Sequence, residues 1–477
     1  MMKKSLIASL LVASLIFLPF TAMADLGDVI AKSKDIEINM FGSLKTFPHF
    51  IENADFNSDD TRYDFIIDEN GTMENHAVRT EARIGWDAKA DDWDFMIILE
   101  SDFNLNKANA DRGADKTAGY FNQMDTGFTG EDFGIEKLNF GYNFGPCKIN
   151  TGWNTKFLDI MSGGILYGDD HPYIGLEGAF GKNKWEALYI IVQDDISNQG
   201  AGGVIDGDSL DWRVYTLRVG FDLNGFTLAP LYAFSDNEDR SANVHYMGVE
   251  GYGKLGIFTP RFEFVYATGE QTLTNQDLDI SAFGAFASIE AGISKALNVY
   301  VGGYYLSGDD DPNDDDIEAF NGITNIGRYT PTFGMENAMI YRYVPALGTH
   351  LYSNNFNVLG SKAGYGGISN SSKADAPGMI MMGIGARGCL TDQLSYKTQV
   401  MYFAFEEQGA LEQVAGKSID DEVGIEADLQ LTYSFNPHFS IGNVIAVFFP
   451  GDGVEDRLGP AFDETAYVDT IELTWQF

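Results

Sequence analysis

The chain has 477 residues, 44% of them hydrophobic, and carries 70 acidic against 31 basic side chains for a formal net charge of −39. That balance repels nucleic acid and anionic lipid and attracts cations, so no nucleic-acid partner is expected. Two cysteines, Cys147 and Cys389, cannot build a disulfide framework, and beyond the amino terminus no stretch nears the roughly 18 consecutive apolar residues of a membrane-crossing helix.

At the amino terminus, Lys3 and Lys4 precede a mostly apolar run from Leu6 to Phe20 and then Ala22-Met23-Ala24. A charged start, a short apolar stretch and an A-x-A site predict a secretory signal peptide over residues 1–24, cleaved before Asp25. Residues 25–35 are too few for a plug domain. They read as a short periplasmic segment in which Leu26, Val29 and Ile30 would make one helical turn.

From residue 36 to 477 the chain alternates between two chemistries. The cleanest segment, 76–89, sets Val78, Thr80, Ala82, Ile84 and Trp86 against Arg79, Glu81, Arg83, Asp87 and Lys89. After Ala90-Asp91-Asp92, Trp93, Phe95, Ile97 and Leu99 oppose Asp94, Ile98, Glu100 and Asp102. Successive strand residues point to opposite faces, so the two runs predict a hairpin in which Arg83 can meet Glu100.

Further tight turns fall at Gly145-Pro146, Gly181-Lys182-Asn183, Asn224-Gly225, Lys254-Leu255, Lys295-Ala296-Leu297, Thr391-Asp392-Gln393 and Asn436-Pro437-His438. Long polar connections lie near 46–73, 105–130, 158–172, 193–209, 235–242, 269–278, 307–376, 407–420 and 450–465. Short turns at one rim and long loops at the other predict an all-β transmembrane antiparallel barrel over 36–477, with periplasmic turns and extracellular loops. The segments number 18, an even count that puts both termini on the turn side. Blurred alternation near 243–253 and 438–448 leaves sixteen as the alternative. In this order Cys147 and Cys389 fall on distant strands and act as small fillers, not a bridge.

Aromatic residues recur beside the short turns: Phe140, Tyr142 and Phe144; Tyr215 and Phe221 with Leu217 and Val219; Tyr433 and Phe435. Such rings favour the headgroup level, so they predict a lipid-facing girdle. The last strand closes the pattern, with Tyr467, Ile471, Leu473, Trp475 and Phe477 on one parity and Thr470, Glu472, Thr474 and Gln476 on the other; Asp469 alone breaks it.

The leader, the amphipathic strands and the closing Ile471-Glu472-Leu473-Thr474-Trp475-Gln476-Phe477 resemble Gram-negative outer-membrane porins. The size is similar to the homotrimeric porins of sulfate- and metal-reducing bacteria and, more distantly, to the alginate-export barrels. The resemblance implies residence in the outer membrane among lipid and lipopolysaccharide, a homotrimer, and a C-terminal assembly signal read by the barrel-assembly machinery through Tyr467, Ile471, Leu473, Trp475 and Phe477. Alginate exporters line their pore densely with arginine, which this chain does not.

A barrel of this size without a plug leaves a water-filled lumen, so passive diffusion of small hydrophilic solutes and ions is expected, with no cofactor. The polar parity should line it. On the sixteenth strand Val423, Ile425, Leu429, Leu431 and Tyr433 would face lipid, while Glu422, Glu426 and Asp428 face the channel with Glu472. Arg79, Glu81, Arg83 and Glu100 line the first hairpin, Arg218 the eighth strand, Arg261 and Glu263 the eleventh. An acidic wall facing a sparser basic one would prefer cations; the alternative is that these charges merely pair with neighbours. Other readings are a substrate-specific channel or an exporter of anionic or polysaccharide solutes, and a surface structural or adhesive barrel. Catalysis has little support: His49, His76, His171, His245, His350 and His438 are scattered, and no G-x-S-x-G or H-E-x-x-H occurs.

The longest connection, 307–376, opens with Asp309, Asp310, Asp311, Asp314, Asp315 and Asp316. These hard oxygen donors could hold Ca²⁺, although the spacing is not that of an EF-hand, and a solvated acidic loop is the plainer reading. Its later part, 340–370, mixes aromatic and polar residues and would fold inward as a constriction.

Overall fold

A computed structural model describes residues 28–32, 36–53, 56–57, 77–104, 133–193, 211–238, 240–273, 276–311, 313–325 and 377–477. The signal segment, the side chain of Arg79 and the stretch 340–370 lie outside the described residues.

Eighteen long strands close into one antiparallel barrel. In chain order they are β1 (Glu37–Glu52), β2 (Ala77–Lys89), β3 (Trp93–Asn104), β4 (Phe133–Phe144), β5 (Cys147–Phe157), β6 (Tyr167–Phe180), β7 (Asn183–Gln193), β8 (Trp212–Asp222) and β9 (Phe226–Asn237). The second half comprises β10 (Ala242–Gly253), β11 (Phe258–Leu273), β12 (Gln276–Ser294), β13 (Leu297–Leu306), β14 (Met379–Cys389), β15 (Leu394–Ala404), β16 (Glu422–Asn436), β17 (Phe439–Pro450) and β18 (Ala466–Gln476). Each pairs with its sequence neighbours, and β18 pairs back onto β1, with Ser43 opposite Gln476 and Glu52 opposite Tyr467. Closure leaves no edge strand, which is how a sheet survives in lipid. Among the described residues no helix is long and apolar enough to cross a membrane.

Every tight turn expected from the sequence joins two strands at one rim. The two strands with blurred alternation, β10 and β17, are fully formed. One expected long connection, 269–278, is mostly strand: Thr272 pairs with Asp277 and Leu273 with Gln276. The expected helical turn near Val29 is likewise a short strand, Asp28–Lys32, antiparallel to the start of β1. Its backbone adds to a sheet whose edge is open at that point, an option a local helical pattern cannot reveal.

The alternation resolves into an apolar outside and a mixed inside. Trp475 is 61% exposed and Phe477 47%, whereas Ala466, Val468 and Thr470 on the opposite parity are buried. A soluble sheet would reverse this, so the exposed apolar face is the lipid-facing one. Phe140, Tyr142, Phe144, Tyr215, Phe221, Tyr433 and Phe435 all point outward. Near the turn rim rings meet across strands, Phe180 with Phe221 at 6.3 Å and Phe435 with Phe439 at 5.2 Å. A second belt nearer the loop rim joins Tyr189 to Tyr215 at 5.2 Å and Phe283 to Tyr305 at 5.2 Å. Asp469, the one polar residue on the outer parity of β18, accepts a hydrogen bond from Asn443 of β17 at 2.6 Å. At the seam Gly42 and Phe477 exchange backbone hydrogen bonds of 3.1 and 3.0 Å. A Cβ on Gly42 would lie 2.8 Å from the Phe477 ring, so glycine makes room there for the terminal aromatic.

Cys147 on β5 and Cys389 on β14 are free and nine strands apart.

Candidate functional site: the barrel interior

The inner face is only partly polar. On β12, Leu278, Ile280, Ala282, Phe286, Ser288 and Glu290 are buried and point inward, while Phe283 and Ile289 point to lipid. The apolar inner residues near the loop rim form one cluster with segments that fold in from the loops. Residues 158–166, between β5 and β6, insert Leu158, Ile165 and Leu166. The described start of the longest connection inserts Ile317, Phe320 and Ile323, and adds two short parallel pairings, Ile317 with Ile280 of β12 and Thr324 with Tyr167 of β6. Helix α1 (Gly409–Ala415) contributes Leu411, and α2 (Asp452–Leu458) contributes Val454. Burial of each such side chain stabilises the inward conformation by roughly 1.5–3 kcal/mol. Connections expected as extracellular thus narrow the bore, among them 158–166, which was not foreseen as a constriction and reaches across to β10, β11 and β13.

That loop touches four strands beyond its own. The Ser162 Oγ lies 2.8 Å from Glu250 Oε2 on β10 and 3.1 Å from Glu263 Oε2 on β11, and the Gly163 N–H donates to Glu263 Oε2 at 2.8 Å. Tyr304 of β13 donates its hydroxyl to the Gly163 carbonyl at 2.9 Å. Phe286 of β12 packs so close that a Cβ on Gly163 would sit 2.6 Å from its Cβ. At the loop base the Asp159 carboxylate accepts the Leu166 N–H at 2.6 Å. Burial pushes Asp159 above the ordinary carboxylate range, against the pull of its hydrogen bonds to Glu263 and to the backbone of Leu166 and Tyr167.

The charged residues form neighbour pairs around the wall rather than two opposing walls. Arg83 meets Glu100 across the hairpin, Glu136 of β4 at 3.1 Å and Glu81 at 3.2 Å. Arg218 donates through Nε to Glu250 at 2.6 Å and through Nη2 to Tyr252 at 3.0 Å. Arg261 lies 3.6 Å from Glu290, which also accepts Arg387 Nε at 2.8 Å. Glu426 and Asp428 are buried, Asp428 accepting from Gln399 at 2.8 Å. Glu472 is half-buried and accepts from Thr474 at 2.8 Å. Arg83 and Glu100 lie directly opposite across the hairpin, Arg261 reaches diagonally to Glu290, and Arg83–Glu136, Arg218–Glu250 and Arg387–Glu290 each reach over one intervening strand, so every partner sits along the wall rather than across the bore.

Val423 corrects a sequence expectation. A β-bulge shifts the register between Phe403, opposite Gly424, and Ala404, opposite Glu422, with Gly424 at φ 144°. A one-residue slip exchanges faces, so Val423 is buried in the interior cluster instead of meeting lipid, and Glu422 lies half-buried at the loop rim.

Water reaches the charged inner side chains mainly along β3 to β8. Asp94, Glu100, Glu136, Glu177 and Glu186 retain exposure there, interleaved with Lys148, Lys156 and Arg218. By contrast Glu250, Glu263, Glu426 and Asp428 are sealed from solvent. The bore is therefore eccentric, with its wet side acidic in balance. Sequence reasoning missed Glu136, Lys156, Glu186, Glu250, Glu290 and Arg387; Glu290 and Glu250 were legible from strand parity, the others only from the register of neighbouring strands.

The aspartates of 309–316 bond their own loop. Asp309 accepts the Glu318 N–H at 3.1 Å, Asp311 the Asn313 N–H at 3.1 Å and Asp314 the Asp316 N–H at 2.9 Å. Burial pushes the Asp309 carboxyl up to about 7. Among the described residues no group of three or more His, Cys, Asp or Glu has the placement to hold a metal ion. The described histidines are dispersed: His171 meets Tyr167, His245 meets Tyr232 on the outside, and His438 sits on a turn.

No protein-family model matches the sequence, and no curated protein does. Among solved structures, Pseudomonas aeruginosa OccK11 (OpdR) superposes with TM-score 0.51 at 10% identity, covering 93% of this chain and 96% of its own. This chain shares the fold of outer-membrane porins. Acinetobacter baumannii OccAB4 is similar at TM-score 0.51 and 10% identity over 93% and 99% of the two chains. A BenF-like porin from Pseudomonas fluorescens Pf-5 is similar at 0.52 and 9% over the same shares.

Proposed function

We propose that this protein is an outer-membrane channel that passes small hydrophilic solutes and ions by passive diffusion and prefers cations. The observation that carries the reading is the pairing of an apolar, aromatic-belted exterior with an eccentric wet strip inside, where carboxylates outnumber cations. The exterior fits a bilayer and the strip fits a hydrated path. An excess of fixed negative charge in a narrow bore enriches cations and depletes anions. Cleavage after Ala24, delivery through the terminal Trp475 and Phe477, and assembly as a homotrimer belong to the same proposal. An adhesive or structural barrel would need no water-exposed charges on its inner wall, and a wall whose described arginines, Arg83, Arg218, Arg261 and Arg387, are each paired with carboxylates suits neither an anion channel nor a polyanion exporter.

The test is conductance of the purified protein in a planar bilayer, followed by reversal potential in a salt gradient. Discrete steps with a reversal potential on the cation side are expected. An absence of conductance ends the channel reading, and a reversal potential on the anion side ends the cation preference.

A further inference from the structure

The loop 158–166 meets the wall through more acid than base. Asp159 comes from the loop, Glu250 from β10 and Glu263 from β11, with Arg218 of β8 bound to Glu250. The other groups facing the contact are the hydroxyls of Tyr252 and Tyr304; β12 presents Phe286 and β9 presents Leu231.

The hydrogen bonds fix where a proton must be. Ser162 has one hydroxyl hydrogen, yet its Oγ is within 3.1 Å of the Asp159 carbonyl, Glu250 and Glu263 oxygens, all of which accept. Arg218 donates to Glu250, which favours its carboxylate form over that of Glu263, beside which, among the described residues, no arginine hydrogen bond is made at this contact. Asp159 and Glu263 are hydrogen-bonded to each other through their carboxyls, which two carboxylates cannot be. Asp159 also accepts backbone N–H groups from Leu166 and Tyr167, so it is the natural anion of the pair. Glu263 is the donor.

We propose that Glu263 is a proton-binding site that latches the tip of the loop, residues 161–164, across the bore, and that its ionisation widens the channel as pH rises. This rests on the channel reading above. Loss of the proton removes the carboxyl hydrogen bond between Glu263 and Asp159 and sets the two carboxylates, with Glu250 beside them, against one another in a site sealed from water, a repulsion that the Ser162, Gly163 and Tyr304 hydrogen bonds alone must then oppose. The apolar base stays anchored by Leu158, Ile165 and Leu166. Only the tip lifts, carrying the exposed Met161 out of the path.

Glu263→Gln is a permanent copy of the protonated acid: its amide donates as the carboxyl does and its oxygen still accepts the Gly163 N–H. Single-channel conductance of the wild type is expected to rise by about two-fold between pH 5.5 and 9, in a transition fitting one proton, while Glu263→Gln stays at the low value throughout. Ser162→Ala, which loosens the tip without changing a strand, is expected to start from a higher conductance. A nitroxide on Met161→Cys, with Cys147 and Cys389 replaced by serine, gives a readout that needs no conducting pore: its mobility should rise over the same pH range and stay fixed when Glu263→Gln is added. Conducting channels whose pH step survives Glu263→Gln, or a label with no pH response in either background, would overturn the latch. A label that responds in a protein without conductance would uphold the latch and end the channel reading instead.

Discussion

Replacing Arg83 by Gln probes the inner charge balance directly. Arg83 sits among Glu81, Glu100 and Glu136, the last two on the wet side of the bore. The substitution removes one positive charge there and keeps a hydrogen-bonding side chain of similar reach. A monovalent ion passing about 8 Å away in a water-like dielectric feels a change of about 0.5 kcal/mol, cut by roughly half through screening in 0.1 M salt. The change favours the cation and disfavours the anion, so the cation-to-anion permeability ratio should grow by about two-fold. The assay is reversal potential across a planar bilayer with a tenfold salt gradient, and the difference from wild type should shrink as ionic strength rises. Because removing one partner of a buried ion pair costs roughly 3–5 kcal/mol, the variant must first run as a heat-modifiable folded barrel on cold electrophoresis. An unchanged or anion-shifted potential in a folded variant would refute the claim that the water-exposed carboxylates set selectivity.

The lipid-facing assignment is tested by Ile384→Arg, mid-strand on β14 and 55% exposed: on a bilayer-facing surface it should cost about 2–4 kcal/mol in urea unfolding from vesicles, whereas a change within about 0.5 kcal/mol would mean a water-facing surface. Gly42→Val puts a branched side chain against the Phe477 ring and the Arg83 carbonyl, and should lower seam stability by about 1–3 kcal/mol; an unshifted melting temperature would remove the seam from the account. For Asp309, burial raises the carboxyl to about 7 in the folded protein against 3.8 for the free group. The folded state therefore binds more protons between these values, and stability of the loop around it falls as pH rises through that window. Asp309→Asn should flatten the pH dependence of proteolytic cleavage in 307–325, and an unaltered profile would exclude Asp309 as its source.

Much of the barrel was legible because strand alternation has a period of two and the tight turns carry Gly, Pro and Asn. The hairpin of Arg83 and Glu100 could be read residue by residue, and the outward Trp475 and Phe477 follow from parity alone. Val423 could not be read, because a bulge leaves no mark in a pattern of alternating residues beyond a glycine that has other uses. Nor could the inward path of 158–166, since Ile165 and Leu166 look like any short apolar pair in a loop.

What the sequence by itself determined is most of the set of faces, which side chains turn to lipid and at which rim the turns lie, consequences of local backbone geometry, while the choice of eighteen strands over sixteen rests on the pairing of β10 and β17. What only the tertiary structure decided is the interior. Whether Arg218 meets Glu250, whether Ser162 reaches Glu263 and where water can still pass depend on inter-strand register and on loops returning across the lumen, and these are contacts between residues about 30 to 140 positions apart in the chain that no local pattern encodes.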